Sequence, residues 1–138
     1  MDNKYISFVR VEGYDKLYNI INKRSNIAIG ALAIHPDTHT PSFYTGKDTV
    51  WNITCLSSVA EFMESTFSPE NQTGDLLQFV QLPRHNKQAK TDRLSISHTP
   101  DMIKWFGNWR QYCLFSSETT YTKPHVMQII DKLTTLKK

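Results

Sequence analysis

A chain of 138 residues with 39% hydrophobic content fits one compact domain or two very small ones, and its composition is that of an ordinary globular protein. It carries 16 Lys and Arg against 13 Asp and Glu, a formal charge of +3, and no stretch approaches the ~18 consecutive apolar residues of a membrane span. Met1 to Lys4 leads straight into strand-like sequence without a signal peptide, so a cytoplasmic location is expected.

Tyr5 to Val11 is rich in β-branched and aromatic residues and reads as a strand. Glu12-Gly13 signals a turn, and Leu17 to Asn22 completes a hairpin. Ile27 to Ile34 is a near-continuous apolar run that fits a buried strand. His35 to Pro41 breaks it, because two prolines remove backbone donors and force an extended loop. Ser42 to Thr45 is a short fourth strand. A helix near 54–67 follows, with Asn52 or Thr54 as its N-cap; Leu56, Val59, Ala60, Phe62, Met63 and Phe67 recur at helical spacing. Ser68 to Gly74 is a loop by composition. Leu76 to Leu82 then reads as a strand, Pro83 to Asp92 as a long polar loop, and Leu94 to Ser97 as the return. Met102 to Phe106 and Trp109 to Phe115 form a hairpin around Gly107-Asn108. Pro124 stands in the first turn of a helix over 124–136, with Val126, Ile129, Ile130, Leu133 and Leu136 along one face.

The two halves look like two copies of one unit. Ile6 to Val11 matches Leu77 to Leu82 at an offset of 71, and Asp48 to Asn52 matches Glu118 to Thr122 at an offset of 70. The apolar positions Leu56, Val59, Ala60 and Met63 match Val126, Ile129, Ile130 and Leu133 at the same offset. Three blocks with nearly one offset point to internal duplication. The expected fold is α+β: two tandem β-β-β-β-α repeats, over 1–68 and 75–138 with a linker at 69–74, related by a pseudo-two-fold. Each unit is too small to bury a full core alone. A shared core is therefore expected from Phe8, Ile29, Leu32, Phe62 and Met63 with Phe79, Ile103, Ile129 and Leu133.

Charge is unevenly divided. Residues 1–68 hold six Lys/Arg and seven Asp/Glu, whereas residues 75–138 hold ten and five. The second half is the side expected to meet a polyanion or an acidic partner. Arg84, Lys87, Lys90 and Arg93 concentrate that charge on one loop. Trp105, Phe106, Trp109, Tyr112 and Phe115 interleave with Lys104 and Arg110 on the following hairpin. Strand aromatics ordinarily pack a core. Alternation, however, puts Trp109 and Gln111 on one face and Arg110, Tyr112 and Leu114 on the other, so both faces cannot be simple core. One exposed tryptophan and one arginine would supply a stacking platform and a phosphate contact.

Other chemistry is weakly signalled. His35 and His39 are four apart, but Pro36 and Pro41 argue against the helix that a zinc pair of this spacing needs, and no third ligand is near in sequence. His39-Thr40 and His98-Thr99 suggest paired histidines without an evident nucleophile or carboxylate between them. No nucleophile elbow and no glycine-rich phosphate loop occurs. Cys55 and Cys113 lack metal spacing, align with His125 and Phe43 in the other copy, and read as two free, buried thiols. No catalytic residue, metal or cofactor is expected.

Gly107-Asn108-Trp109-Arg110-Gln111-Tyr112-Cys113-Leu114-Phe115 resembles a strand signature in small proteins encoded by bacteriophages and prophages. There, a tryptophan-arginine-x-tyrosine strand is followed by a threonine-aromatic pair and a cysteine-leucine helix start. Asp48-Thr49-Val50-Trp51-Asn52 and Cys55-Leu56-Ser57-Ser58-Val59-Ala60-Glu61-Phe62 supply that second part. His125 replaces the cysteine in the second copy, and Pro41-Ser42-Phe43-Tyr44 replaces the strand in the first. The resemblance implies a mobile-element origin and a host-cell cytoplasmic location; it implies no activity. The tandem β4α order is also similar, in topology alone, to the Whirly and transcriptional-coactivator fold, which binds single-stranded nucleic acid.

The sequence expectation is thus a non-catalytic phage or mobile-element protein that binds single-stranded nucleic acid through Arg84, Lys87, Lys90, Arg93, Lys104, Trp105, Trp109 and Arg110. The alternatives are a protein-binding inhibitor of a host defence or replication enzyme, and a protein that sequesters a small nucleotide signal.

Overall fold

The computed structural model describes residues 3–67, 76–83 and 91–136. The elements run β1 (Ile6–Arg10), β2 (Tyr18–Asn22), β3 (Ile27–Ile34), β4 (Pro41–Thr45), β5 (Thr49–Trp51) and α1 (Ile53–Thr66), then β6 (Phe79–Gln81), β7 (Arg93–Ile96), β8 (Met102–Phe106), β9 (Gln111–Ser116), β10 (Thr120–Thr122) and α2 (Lys123–Leu136). The class is α+β, with two antiparallel sheets. No described helix is long and apolar enough to cross a membrane.

The strand order departs from the β-β-β-β-α expectation. Each half has a fifth, three-residue strand directly before its helix, and that strand leaves its own half. β10 pairs with β4, giving the order β1-β2-β3-β4-β10, and β5 pairs with β9, giving β5-β9-β8-β7-β6. The chain changes sheet at two left-handed residues, Asp48 (φ 52°) and Glu118 (φ 51°). Gly46 makes the first crossing possible. Its N–H donates to the Ile29 carbonyl at 2.7 Å, and a Cβ there would lie 2.7 Å from the same oxygen, closer than real side chains come.

Each sheet sets a row of three apolar residues opposite one another. Leu32, Phe43 and Tyr121 face across β3, β4 and β10, and Ile103, Leu114 and Trp51 face across β8, β9 and β5. All six are buried. Phe43 of one sheet meets Trp51 of the other edge-on, with ring centroids 4.9 Å apart.

α1 begins where Asn52 adopts extended backbone and its side chain accepts from the Cys55 N–H at 2.8 Å, which satisfies one of the orphan donors of the first turn. It turns Cys55, Leu56, Val59, Ala60 and Met63 inward. Phe62 stacks on Phe8 at 4.3 Å and meets Tyr18 edge-on, so α1 lies over β1 and β2. On the other side Lys132 of α2 lies over the Phe79 ring of β6. The helices pack against each other, and Lys123 pairs with Glu64 at 3.6 Å.

The expected core set is present in one cluster. Leu32, Met63, Ile103, Ile129 and Leu133 are fully enclosed, and Phe8, Ile29, Phe62 and Phe79 pack at its margin. Two expectations change. β3 is buried only at Leu32, and its ends are open, Ile27 being 61% exposed; the strand overhangs β4 at its start and β2 at its end, so each end is paired on one side only. β9 begins at Gln111, not at Trp109, because Gly107 to Arg110 form the turn and Arg110 takes a left-handed φ of 51°.

Candidate functional site

The β8–β9 hairpin gathers the aromatic candidates on both of its faces. Register pairs Lys104 with Cys113 and Trp105 with Tyr112, so alternation sends Lys104, Phe106 and Phe115 one way and Trp105 and Tyr112 the other. Ring contacts agree. Lys104 Nζ lies 4.5 Å from the Phe115 ring centroid. Phe106 meets Phe115 and Trp109 edge-on at 5.5 and 4.9 Å. On the opposite face Trp105 meets Tyr112 edge-on at 5.4 Å. Trp105 and Trp109 stay 39% and 44% exposed. Each tryptophan thus leans on one ring and keeps part of its surface open.

Arg110 sits in the turn between the two faces. With Trp105, Tyr112 and Gln111 it lines a recess of about 220 Å³, closed by Ile53 and Thr54 at the start of α1 and by Leu133 of α2. Trp105, Trp109, Arg110 and Lys104 are therefore brought to one hairpin. Arg93 pairs with Lys104 on the neighbouring strand. Its guanidinium donates to the Pro83 carbonyl at 2.6 Å, which engages it in closing the β6–β7 connection. Arg84, Lys87 and Lys90 lie outside the described residues.

A second polar assembly was not anticipated from sequence. Asp101, 1% exposed just before β8, accepts from four donors. These are the Tyr121 hydroxyl, Ser116 Oγ at 2.5 Å, Thr119 Oγ1 at 2.9 Å and the Ser117 N–H at 3.0 Å. Thr45 Oγ1 shares a hydrogen bond with Ser116 Oγ at 2.7 Å. The network crosses the seam, since Thr45 and Tyr121 belong to one sheet and Ser116 to the other. A buried carboxylate needs such saturation, because desolvation is otherwise prohibitive. Burial first, then the Asp101 hydrogen bond and charge, push the Tyr121 phenol well above its ordinary range.

Beside this network opens a cleft of about 570 Å³. Leu76 to Gln78 just before β6, the β7–β8 turn, β10 and His125 of α2 line it. His98 was considered from sequence only as a partner of His39. The structure puts the two in different connections, β7–β8 and β3–β4, and only His98 reaches the cleft. The missed residues Tyr121 and His125 carried a signal. They stand 70 residues after Trp51 and Cys55, so the matched offset itself sets polar groups against an indole and a thiol.

The remaining candidates are structural. His35 Nδ1 accepts from the Asp37 N–H at 3.1 Å and so organises its own turn. Among the described residues, no group of three His, Cys, Asp or Glu side chains is placed to hold a metal. Cys55 and Cys113 are free and buried. Burial pushes Cys55 up to about 11, against a smaller pull from the Asn52 hydrogen bond. Burial and then the neighbouring Cys55 push Cys113 up to about 12. Both thiols are therefore protonated and poor nucleophiles at neutral pH. No protein-family model, no curated protein and no solved structure matches this chain.

Proposed function

We propose that the protein is a non-catalytic binding protein that engages single-stranded nucleic acid through the β8–β9 hairpin. The observation that carries this reading is the tip of that hairpin: Trp105 and Trp109 stand open on opposite faces, with Arg110 between them. Bases stack on such rings regardless of sequence, and a guanidinium beside them meets the phosphate. Lys104 adds a second cation on the Trp109 face. The positive excess of residues 75–138 supports the same side.

The reading includes an internal duplication, as the matched offsets suggest, and the mobile-element origin that the phage-protein resemblance implies. Strand register supports it. Phe8 corresponds to Phe79, Leu32 to Ile103 and Phe43 to Leu114, each 71 apart, and Trp51 corresponds to Tyr121, 70 apart. Ile20 corresponds to Ile96, 76 apart, which places an insertion before β7 and an equal deletion after it. On this register Cys113 corresponds to Ser42, one residue from its position in the sequence alignment.

Fluorescence anisotropy with labelled single-stranded DNA and RNA tests the function. Binding at low salt, falling steeply as salt rises, is the expected result, since each phosphate contact releases counterions. Failure of both probes at low salt refutes it. An exposed aromatic and arginine tip also suits a protein hot spot, as in an inhibitor of a host defence enzyme. Capture of a single nuclease-resistant partner, without binding to either nucleic acid, would select that reading instead.

A further inference from the structure

We infer that the recess between Trp105 and the start of α1 takes one base of the bound strand, splayed out from its neighbours, whereas Trp109 on the opposite face offers open stacking to another. The inference rests on the single-strand reading of the hairpin and gives the two tryptophans different tasks. Trp109 stands in the exposed turn against the Phe106 ring. Trp105 instead lines a cavity of about 220 Å³. That is below the usual range for a whole small-molecule ligand, roughly 300–1,000 Å³, so the recess suits one part of a polymer better than a free nucleotide.

The chemistry of the walls selects a base. Trp105 and Tyr112 are register partners on β8 and β9, and their rings meet at 80° with centroids 5.4 Å apart. Two rings at nearly a right angle make a corner. A flat base lying against one presents its edge to the other, and both arrangements are favourable between aromatic rings. Ile53 and the fully buried Leu133 supply further apolar surface. Thr54 and Gln111 line the same recess. A hydroxyl and an amide each donate and accept, which matches the mixed donors and acceptors along a base edge. Arg110 reaches the recess from the turn, and its guanidinium fits the adjoining phosphate through paired, charge-assisted hydrogen bonds. Aromatic stacking combined with edge hydrogen bonding is how proteins hold splayed-out bases of single strands.

The walls are also held in place. The Tyr112 hydroxyl accepts from the Asp92 N–H at 3.0 Å, which anchors the far end of its ring. Asn52 caps α1 directly before Ile53 by accepting from the Cys55 N–H at 2.8 Å, and so fixes the turn that carries Thr54. Leu133 is part of the core cluster. A preformed recess lowers the ordering cost of binding.

Photo-crosslinking of the full chain to a short single-stranded DNA carrying 5-iododeoxyuridine, mapped by mass spectrometry beside anisotropy, tests this. Crosslinks should form at Trp105 or Tyr112 as well as at Trp109. Thr54→Tyr fills the recess from an exposed position in the first turn of α1 and leaves the core untouched. It should weaken binding about tenfold and remove the crosslinks at Trp105 and Tyr112 while keeping the one at Trp109. Gln111→Ala, a second variant that empties rather than fills the recess, should weaken binding about fivefold. Thermal melts confirm that both variants fold. Binding indifferent to both changes, with crosslinks at Trp109 alone, overturns the inference and leaves the reading of the hairpin standing. Thymidine 5′-monophosphate binding as tightly as the strand overturns the assignment to a base within a polymer. Absence of single-strand binding at low salt overturns the inference together with the reading it rests on.

Discussion

Tyr121 donates its hydroxyl proton to the buried carboxylate of Asp101 and so ties the strand β10 of one sheet to the edge of β8 in the other. At offsets of 70 and 71 the first half has Trp51 and Gly30. There the Trp51 ring lies over a glycine, where here a smaller ring with a hydroxyl meets an acid. Each pair fills its side of the seam. Tyr121→Phe should cost about 1.5–3 kcal/mol, the usual worth of a hydrogen bond to a charged group. Asp101→Ala should cost more, because it strands several buried donors. Urea denaturation would measure both.

Gly30→Ala should destabilise by about 1–3 kcal/mol, the cost of overpacking. Its Cβ would lie 2.7 Å from the Tyr44 carbonyl oxygen and 3.2 Å from Trp51 Cζ2. Because the first neighbour is backbone, trimming Trp51 should not restore the loss. Chemical denaturation of the single and double variants decides this.

Separate polypeptides of residues 1–68 and 75–138 should each be largely unfolded, and should regain ordered structure on mixing. Each lacks the strand that completes its sheet, β10 in the first case and β5 in the second. Circular dichroism of each piece and of the mixture checks it. A cooperative melt from either piece alone would contradict the exchange.

Stability should fall as pH rises above 9. Cys55 and Cys113 are raised from 9.0 to about 11 and about 12, and Tyr121 is raised too. Unfolded thiols lose their protons first, so the contribution is complete below 9 and is lost progressively up to about 11–12. Denaturation midpoints between neutral pH and pH 11 should show the decline. At neutral pH, alkylating reagents should label both cysteines only after unfolding.

Trp109→Ala should cost roughly 1–3 kcal/mol of single-strand binding and little stability, its one ring contact being worth about 0.5–1.5 kcal/mol. Changing Lys87 and Lys90 to Glu should weaken binding and flatten its salt dependence. The same change at Lys16 and Lys23, in the first half, should matter less. Equal losses from the two pairs would show that charge asymmetry does not direct the ligand. Anisotropy beside a thermal melt separates binding from folding.

Helices, long strands and most core positions were legible because each leaves a local periodic trace, as Leu56, Val59 and Met63 do along α1. The fifth strands were not. Thr49–Trp51 and Thr120–Thr122 are three residues long, too short for alternation to register, although both lay inside segments that match at an offset of 70. Their exchange between sheets depends on partners more than sixty residues away, as in Trp51 opposite Leu114. The hairpin tip was legible as chemistry, since one stretch held Trp105, Trp109 and Arg110 together. The cleft was not, because His98, Tyr121 and His125 come from three elements and meet only after folding.

The crossing of β5 and β10 also sets an order of events during synthesis. The first sheet cannot close when its own half leaves the ribosome, because the open side of β4 waits for Thr120–Thr122. Until then that edge offers unpaired amides to any neighbouring chain, and a second nascent copy carries the matching strand. High expression should therefore favour chains that lend β10 to one another, whereas slow synthesis favours the self-contained monomer.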